Sequence, residues 1–285
     1  MIKMTMLALT VATAGIMAAD RVQAGQCSVI INEDKANMED SQTGELLQDG
    51  KFAQVDERLE KKHRKNLSSD RGDFQTMIDI DHLIKISGQT ENLLKMWVDQ
   101  RPQSFFAQYS AGSFYFDESS HIFGGRPMSE ASPSQLERAK GLREKAVAYL
   151  QKAMQLDPRS ALPHAIMLDI AAYQGQAAGK NSEQWLQAAN QVDPKNLAAR
   201  MQALGFLSPR WGGSFELLDQ IAEQAKKSLS TQGSRYLDYR VVMAKASHEE
   251  VIAQNKSKAN ELYKRAKEMC ENSEAAQEGI VRTYQ

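Results

Sequence analysis

Two decapeptides decide the fold of this chain: YLQKAMQLDP at residues 149–158 and WLQAANQVDP at residues 185–194. The second begins 36 residues after the first (185 against 149), and both are rich in residues that favour helices. A fixed period of that size over helix-forming sequence is typical of stacked helical hairpins. We therefore expect an all-α fold of tetratricopeptide-like stacked helical hairpins, an α-solenoid.

Each decapeptide lies in a helix with a small, a bulky and a small residue followed by proline, at spacings of four, three and five. The positions are Ala146, Leu150, Ala153 and Pro158, and then Ser182, Leu186, Ala189 and Pro194. The small residues admit a neighbouring helix, the bulky residue fills the groove between them, and proline ends the helix. Weaker copies at 218–225 and 259–266 extend the predicted repeat region over residues 133–285.

The start of the chain has the pattern of a secretory signal peptide over residues 1–24. Lys3 precedes an uncharged apolar stretch, and Val22-Gln23-Ala24 offers small residues at the two positions that a signal peptidase reads. The stretch is short for a membrane-spanning helix. We expect a periplasmic or secreted protein without a membrane span after cleavage, and a polar lead-in over residues 25–42.

The region between the lead-in and the repeats is expected to be helical as well. Residues 43–132 contain several apolar faces at helical spacing, and glycine, serine and proline at 117–132 indicate a loop. Ser132 and Gln135 then form the sequence pattern of a capping box at the start of the next helix.

Two cysteines, Cys27 and Cys270, remain after the predicted cleavage. In an oxidising compartment they could pair and tie the mature N-terminus to the last helices. Unpaired thiols, with Cys270 filling a helix interface, are the alternative, and the sequence leaves both open.

Charge and motifs favour a protein that is not an enzyme. The formal net charge is −1, whereas a dedicated nucleic-acid binder usually shows a basic excess. The histidines fit no zinc-binding spacing, and no nucleophile elbow occurs. We predict no cofactor, metal or catalytic residue. The alternative is an envelope hydrolase or metal-dependent enzyme built around Asp117, Glu118 and His121 near loop 117–132.

A turn at Trp211, Gly212, Gly213 and Ser214 interrupts the third hairpin and is interpreted as structural. With Leu46-Leu47…Gly50-Lys51-Phe52, with Trp97 followed by Pro102, and with the repeated Asp-Pro ends, this turn resembles a bacterial family known only as a domain of unknown function. The resemblance covers roughly residues 45–230. It implies a tetratricopeptide-like helical fold and no assigned activity.

These patterns together predict an adaptor that binds a peptide or a partner helix in a concave groove. In the register of the repeat, the first helix of each hairpin lines that groove. The residues expected to face a protein or peptide partner are Leu162, Ala165, Asp169, Ala198 and Met201.

Overall fold

The computed structural model describes residues 38–68, 72–86, 90–123 and 130–284, apart from the side chains of residues 38–41, 86 and 211. Within these residues it contains thirteen α-helices and no β-strand. In chain order they are α1 (Met38–Gln48), α2 (Phe52–Leu67), α3 (Gly72–Ile86), α4 (Thr90–Gln100), α5 (Phe105–His121), α6 (Pro133–Leu156), α7 (Leu162–Gln174), α8 (Ser182–Val192), α9 (Ala198–Phe206), α10 (Phe215–Ala225), α11 (Thr231–Val251), α12 (Lys256–Met269) and α13 (Glu274–Thr283). Neighbouring helices pack in sequence order, which confirms the all-α, solenoid-like fold.

The described chain falls into two compact units, residues 38–230 and residues 231–284. This division differs from the predicted boundary at residue 132, because α3 and α5 of the N-terminal region pack against helices of the repeat region. The predicted signal peptide, most of the predicted lead-in and residues 124–129 of the predicted loop lie outside the described residues.

The helix starts in the repeat region follow from local sequence. Ser132 and Gln135 form the predicted capping box at α6, and Asn181 and Gln184 form a second one at α8. In each box the cap side chain accepts a hydrogen bond from the backbone N–H three residues on, and the glutamine side chain accepts one from the backbone N–H of the cap residue. The predicted loop is shorter than expected at its first end, since residues 117–121 continue α5.

Helix α7 occupies the interior of the first unit. It packs against α3, α5, α6, α8 and α9, and ten consecutive residues, 162–171, are buried. A helix that is apolar on every face is stable only when it is covered on every face. The N-terminal helices therefore complete the packing of the repeat region.

The most extensive helix packing in this unit joins α5 to α6. A Cβ atom on Gly112 would lie 2.7 Å from Cγ of Leu150, the bulky residue of the first decapeptide. Beside it, the rings of Tyr115 and Tyr149 stack with centroids 5.6 Å apart. Glycine is thus required at position 112 by space rather than by backbone conformation.

The second unit is a three-helix packing of α11, α12 and α13. Its core contains Ala246, Ala259 and Tyr263. Ala259, Tyr263 and the buried Ala266 are the small, bulky and small residues of the predicted copy at 259–266. The Tyr263 hydroxyl donates to Oε2 of Glu250 at 2.7 Å, and Nε of Arg282 donates to Oε1 of the same carboxylate at 2.9 Å. This carboxylate joins all three helices.

Candidate functional site

The two decapeptides end in the same turn. Asp157 follows α6 with φ −132° and ψ 91°, and Asp193 follows α8 with φ −136° and ψ 101°. Each carboxylate accepts a hydrogen bond at Oδ1 from the backbone N–H two residues on, from Arg159 at 3.1 Å and from Lys195 at 2.8 Å. The repeated sequence therefore places an acidic and a basic residue together at both helix ends.

A residue of the N-terminal region caps the next helix. Oδ1 of Asp73, in the first turn of α3, accepts hydrogen bonds from the backbone N–H of Leu197 at 2.7 Å and of Ala198 at 3.1 Å. Leu197 is the residue before α9, and its own side chain provides no cap. Asp73 thus satisfies two amides that would otherwise lack an acceptor at the start of this helix.

These turns surround a cavity of about 750 Å³, here named the hairpin-end cavity. It is lined by the ends of α2, α6 and α8, by residues 228–230, and by the starts of α3, α7 and α9. A second cavity of about 620 Å³, the side cavity, shares His63, Asp157 and Arg159 with it. We call the two cavities together the hairpin-end surface.

Acidic residues outnumber basic ones on this surface. The carboxylates are Asp56, Glu57, Glu60, Asp73, Asp157 and Asp193, and the cations are Arg101, Arg159 and Lys195. Asp56 is internally satisfied, because it accepts bonds from Trp97 Nε1 at 3.1 Å and Arg101 Nε at 2.9 Å. The Arg159 side chain, in contrast, is 92% exposed.

Asp73 combines a fixed oxygen with an unpaired one. The residue is 3% exposed, and Oδ2 has no hydrogen-bond partner among the described residues. Burial raises the pKa of the Asp73 carboxyl to about 6, against the lowering effect of the two amides of residues 197 and 198. Asp193 adds to the rise in this pKa, and Arg200 opposes it.

Two other side chains near Asp73 are held in place. The Arg200 guanidinium donates to the carbonyl oxygens of Asn196 and Pro194, the latter at 3.0 Å, and burial lowers its pKa. Nδ1 of His63 lies 2.9 Å from Oγ1 of Thr76. Burial lowers the pKa of His63, so this ring is neutral at pH 7 and adds no positive charge to the cavity.

The five residues expected to line an open groove lie in the interior instead. Leu162, Ala165, Asp169, Ala198 and Met201 are all buried. The physical reason is that α3 and α5 pack against the first helices of the hairpins, where the groove was expected. In this arrangement the five side chains offer no surface to a partner.

Polar atoms without partners accompany this interior packing. Oδ1 of Asp169, the Tyr109 hydroxyl and Nδ1 of His164 are buried and have no hydrogen-bond partner within the described part of the chain. Burial raises the pKa of Asp169 well above its ordinary value and lowers that of His164 to about 4. His164 is therefore uncharged at pH 7, and burial favours the protonated form of Asp169.

The residues of the alternative enzyme hypothesis stand together at the end of α5. Nδ1 of His121 lies 3.8 Å from Oδ2 of Asp117 and 3.7 Å from Oε1 of Glu118, too far for hydrogen bonds. All three side chains are exposed. Within the described ranges, no group of three or more histidine, cysteine or acidic side chains is arranged to hold a metal ion.

The predicted turn before α10 is present. Pro209–Trp211 form a 3₁₀ turn, and Gly212 follows with φ +88°. A Cβ atom on Gly213 would lie 1.8 Å from the carbonyl oxygen of Leu207, so only glycine fits. Ser214 caps α10 as expected, accepting a bond from the backbone N–H three residues on at 3.1 Å.

Two further predictions concern the ends of the chain. Cys270 is buried at the end of α12, whereas Cys27 lies outside the described residues, and their pairing stays a prediction. In the part of the chain that the structure describes, no helix has the length and apolar character needed to cross a bilayer.

Residues 40–179 match the model of a family described as Domain of unknown function (DUF4034). The match covers helices of the N-terminal region, the first decapeptide and α7. It ends before the second decapeptide and before the turn at 211–214, which therefore find no counterpart in it. No curated protein matches the chain.

Sequence reasoning identified the doubled helix ends but missed the cavity that they border. The Asp-Pro ends were predicted as helix stops, and the basic residue two positions after each aspartate was the available signal. Asp73 gave no such signal, because its partners lie 124 and 125 positions further along the chain.

Proposed function

We propose that this protein is an exported, tetratricopeptide-like interaction protein that binds a positively charged, extended segment of a partner protein at the hairpin-end surface. The observation that carries the proposal is the excess of carboxylates around two adjoining cavities at the helix ends. The proposed role is binding rather than catalysis.

Charge complementarity is the argument for a cationic partner. Of the six carboxylates on the surface, Asp56 is largely occupied by internal donors and Glu60 pairs with Arg64 at 2.8 Å. Asp157 and Asp193 each accept at Oδ1 from one backbone amide, and the exposed Arg159 lies 3.7 Å from Oδ1 of Asp157. A surface with one dominant sign attracts the opposite charge and speeds encounter. Two cavities that share three lining residues suit an extended segment better than a compact ligand.

The test uses labelled peptides of alternating serine and lysine, and the matched serine–glutamate peptide, with the whole chain. We expect the lysine peptide to bind, with an affinity that falls as salt is added. Equal binding of both peptides would refute the proposal.

The variants Asp157→Asn and Asp193→Asn test whether the peptide binds at the hairpin-end surface. Asparagine keeps the Oδ1 acceptor that holds each turn but removes the charge. Each change is expected to weaken lysine-peptide binding several-fold, and the two together more. Asp99→Asn, an exposed change that touches neither cavity, is the control and should leave the affinity unchanged.

Export is tested separately. The protein recovered from the exported fraction of the producing cell is expected to begin at Gly25, as N-terminal sequencing would show. A protein that retains residues 1–24 in that fraction would contradict the predicted cleavage.

A further inference from the structure

We propose that the hairpin-end cavity receives the ammonium group of a lysine side chain of the bound segment, with Oδ2 of Asp73 as its acceptor. This inference rests on the proposed function and names the chemical group that the surface selects. It assigns a ligand-binding role to Oδ2 of Asp73, the carboxylate oxygen that has no hydrogen-bond partner among the described residues.

The Asp73 carboxylate is held in one orientation by the start of α9. Oδ1 is fixed by the backbone amides of Leu197 and Ala198, at 2.7 Å and 3.1 Å, so the orientation of the carboxylate is set by the start of α9. Asp73 lines the hairpin-end cavity, and its Oδ2 is buried without a hydrogen-bond partner. Buried carboxylate oxygens are normally paired, so an unpaired one beside a cavity calls for a donor.

The fixed cations nearby do not supply that donor. Arg200 is committed to the carbonyl oxygens of Asn196 and Pro194, and its Nη2 also lies 3.3 Å from Ser228 Oγ. Within the described residues, no basic group lies within ion-pair distance of Asp73. Oδ2 of Asp73 is therefore an acceptor at the cavity wall that no donor of the described chain uses.

The single available oxygen favours lysine over arginine. A guanidinium gains its specificity by binding both oxygens of a carboxylate at once. At Asp73 one oxygen is already taken by two amides, so this two-point contact cannot form. An ammonium group acts as a compact charge that needs only one oxygen, on a stem long and thin enough to enter the cavity.

Binding should depend on pH through this carboxyl. The charged and titratable groups that face it are Arg200, Asp193, Lys195, Asp157, Arg159, His63 and Tyr109. Burial lowers the pKa of His63, and burial raises the pKa of the Asp73 carboxyl to about 6. Since only the ionised carboxylate attracts an ammonium group, lysine-peptide affinity should be about tenfold lower at pH about 5 than at pH about 7.5.

The experiment compares three labelled peptides in which serine alternates with lysine, arginine or ε-acetyl-lysine, together with free 1,5-diaminopentane. We expect the lysine peptide to bind several-fold more tightly than the arginine peptide, and the acetylated peptide to bind weakly. Competition by the free diamine at a similar concentration would show that the ammonium group alone is recognised. Competition only by peptide would show that the segment around the lysine is needed too.

Asp73→Asn is the decisive variant, because asparagine keeps the Oδ1 acceptor for α9 and replaces Oδ2 with a donor. The affinity for the lysine peptide should fall at least tenfold and lose its pH dependence, with Asp99→Asn as the matched control. If Asp73→Asn does not fold, the lysine-to-arginine preference and the pH profile of the unaltered protein decide the question. Equal affinity for lysine and arginine peptides with a flat pH profile would overturn the proposal.

The outcomes separate this proposal from the proposed function. If the lysine and arginine peptides bind equally, and Asp157→Asn weakens both while Asp73→Asn weakens neither, the acidic surface is the binding site and the lysine site is refuted. If neither cationic peptide binds more tightly than the acidic one, both proposals are refuted.

Discussion

Replacement of Asp73 by asparagine is expected to remove a pH-dependent cost from the folded state. In the folded protein, burial raises the pKa of this carboxyl from 3.8 to about 6. The folded state therefore holds the proton more tightly than the unfolded chain does. Asparagine keeps the acceptor for the amides of Leu197 and Ala198 but has no proton to gain or lose.

The magnitude follows from the difference between the two pKa values. A shift of about 2 units corresponds to about 3 kcal/mol of preference for the protonated form. Below pH about 4 the carboxyl is protonated in both states and contributes nothing. Between pH about 4 and about 6 the unfolded chain has released this proton while the folded protein still holds it, so the stability of the unaltered protein relative to Asp73→Asn falls by about 3 kcal/mol and stays lower above pH about 7.

Tryptophan fluorescence during urea unfolding measures this effect selectively. The three tryptophans of the chain, at positions 97, 185 and 211, all belong to the first unit. The difference in unfolding free energy between the unaltered protein and Asp73→Asn is to be measured from pH about 4 to about 7.5. Using the difference cancels the titration of the other carboxyl groups, and Asp99→Asn serves as the control.

The reasoning is refuted by a difference that does not change with pH. It is also refuted by a difference of the opposite sign, in which the unaltered protein gains stability over the variant as the pH rises. That result would mean that the carboxylate is better solvated or better paired than its surroundings indicate.

Three further changes test the packing. Gly213→Ala should destabilise the first unit by more than about 2 kcal/mol, because the new Cβ would meet a backbone carbonyl. Gly205→Ala, an exposed change inside a helix with open space around it, should instead stabilise the unit by up to about 1 kcal/mol. Urea unfolding of both variants measures the two changes. Trp185→Phe loses a 2.9 Å hydrogen bond to a backbone carbonyl of the α7–α8 turn and should cost about 1 kcal/mol, measured by circular dichroism. A double-mutant cycle on Glu250 and Arg282, read by hydrogen exchange in the second unit, should give a coupling of at most about 1 kcal/mol that weakens with salt, since Arg282 is half exposed.

Local sequence was sufficient to predict the helix ends. Ser132 caps the helix that it was expected to cap, because a capping side chain bonds to an amide only three residues away, and Asn181 and Ser214 cap α8 and α10 in the same way. The doubled Asp-Pro phrase likewise forms the same turn twice. These interactions depend on neighbours in the chain, and neighbours are visible in a sequence.

The packing of α3 and α5 against the first helices of the hairpins could not be predicted in the same way. Periodicity showed that α7 belongs to a hairpin, but which helices pack on its other faces depends on contacts with α3 and α5, far earlier in the chain. One signal was available, since residues 162–171 are apolar on nearly every face and contain a single acid, Asp169. A helix of that kind predicts burial rather than an open groove.

The hydrogen bonds from Asp73 of α3 to the start of α9 distinguish this protein from a simple array of repeats. In a simple array each hairpin contacts only its neighbours, so folding can begin at any repeat and spread along the array. Here a hydrogen bond between residues 124 positions apart joins α3 directly to the start of α9. Contacts of such long range slow folding and make it all-or-none. Deleting the chain before α4 should therefore unfold the distant helix α9, and the first unit should refold as a single cooperative body.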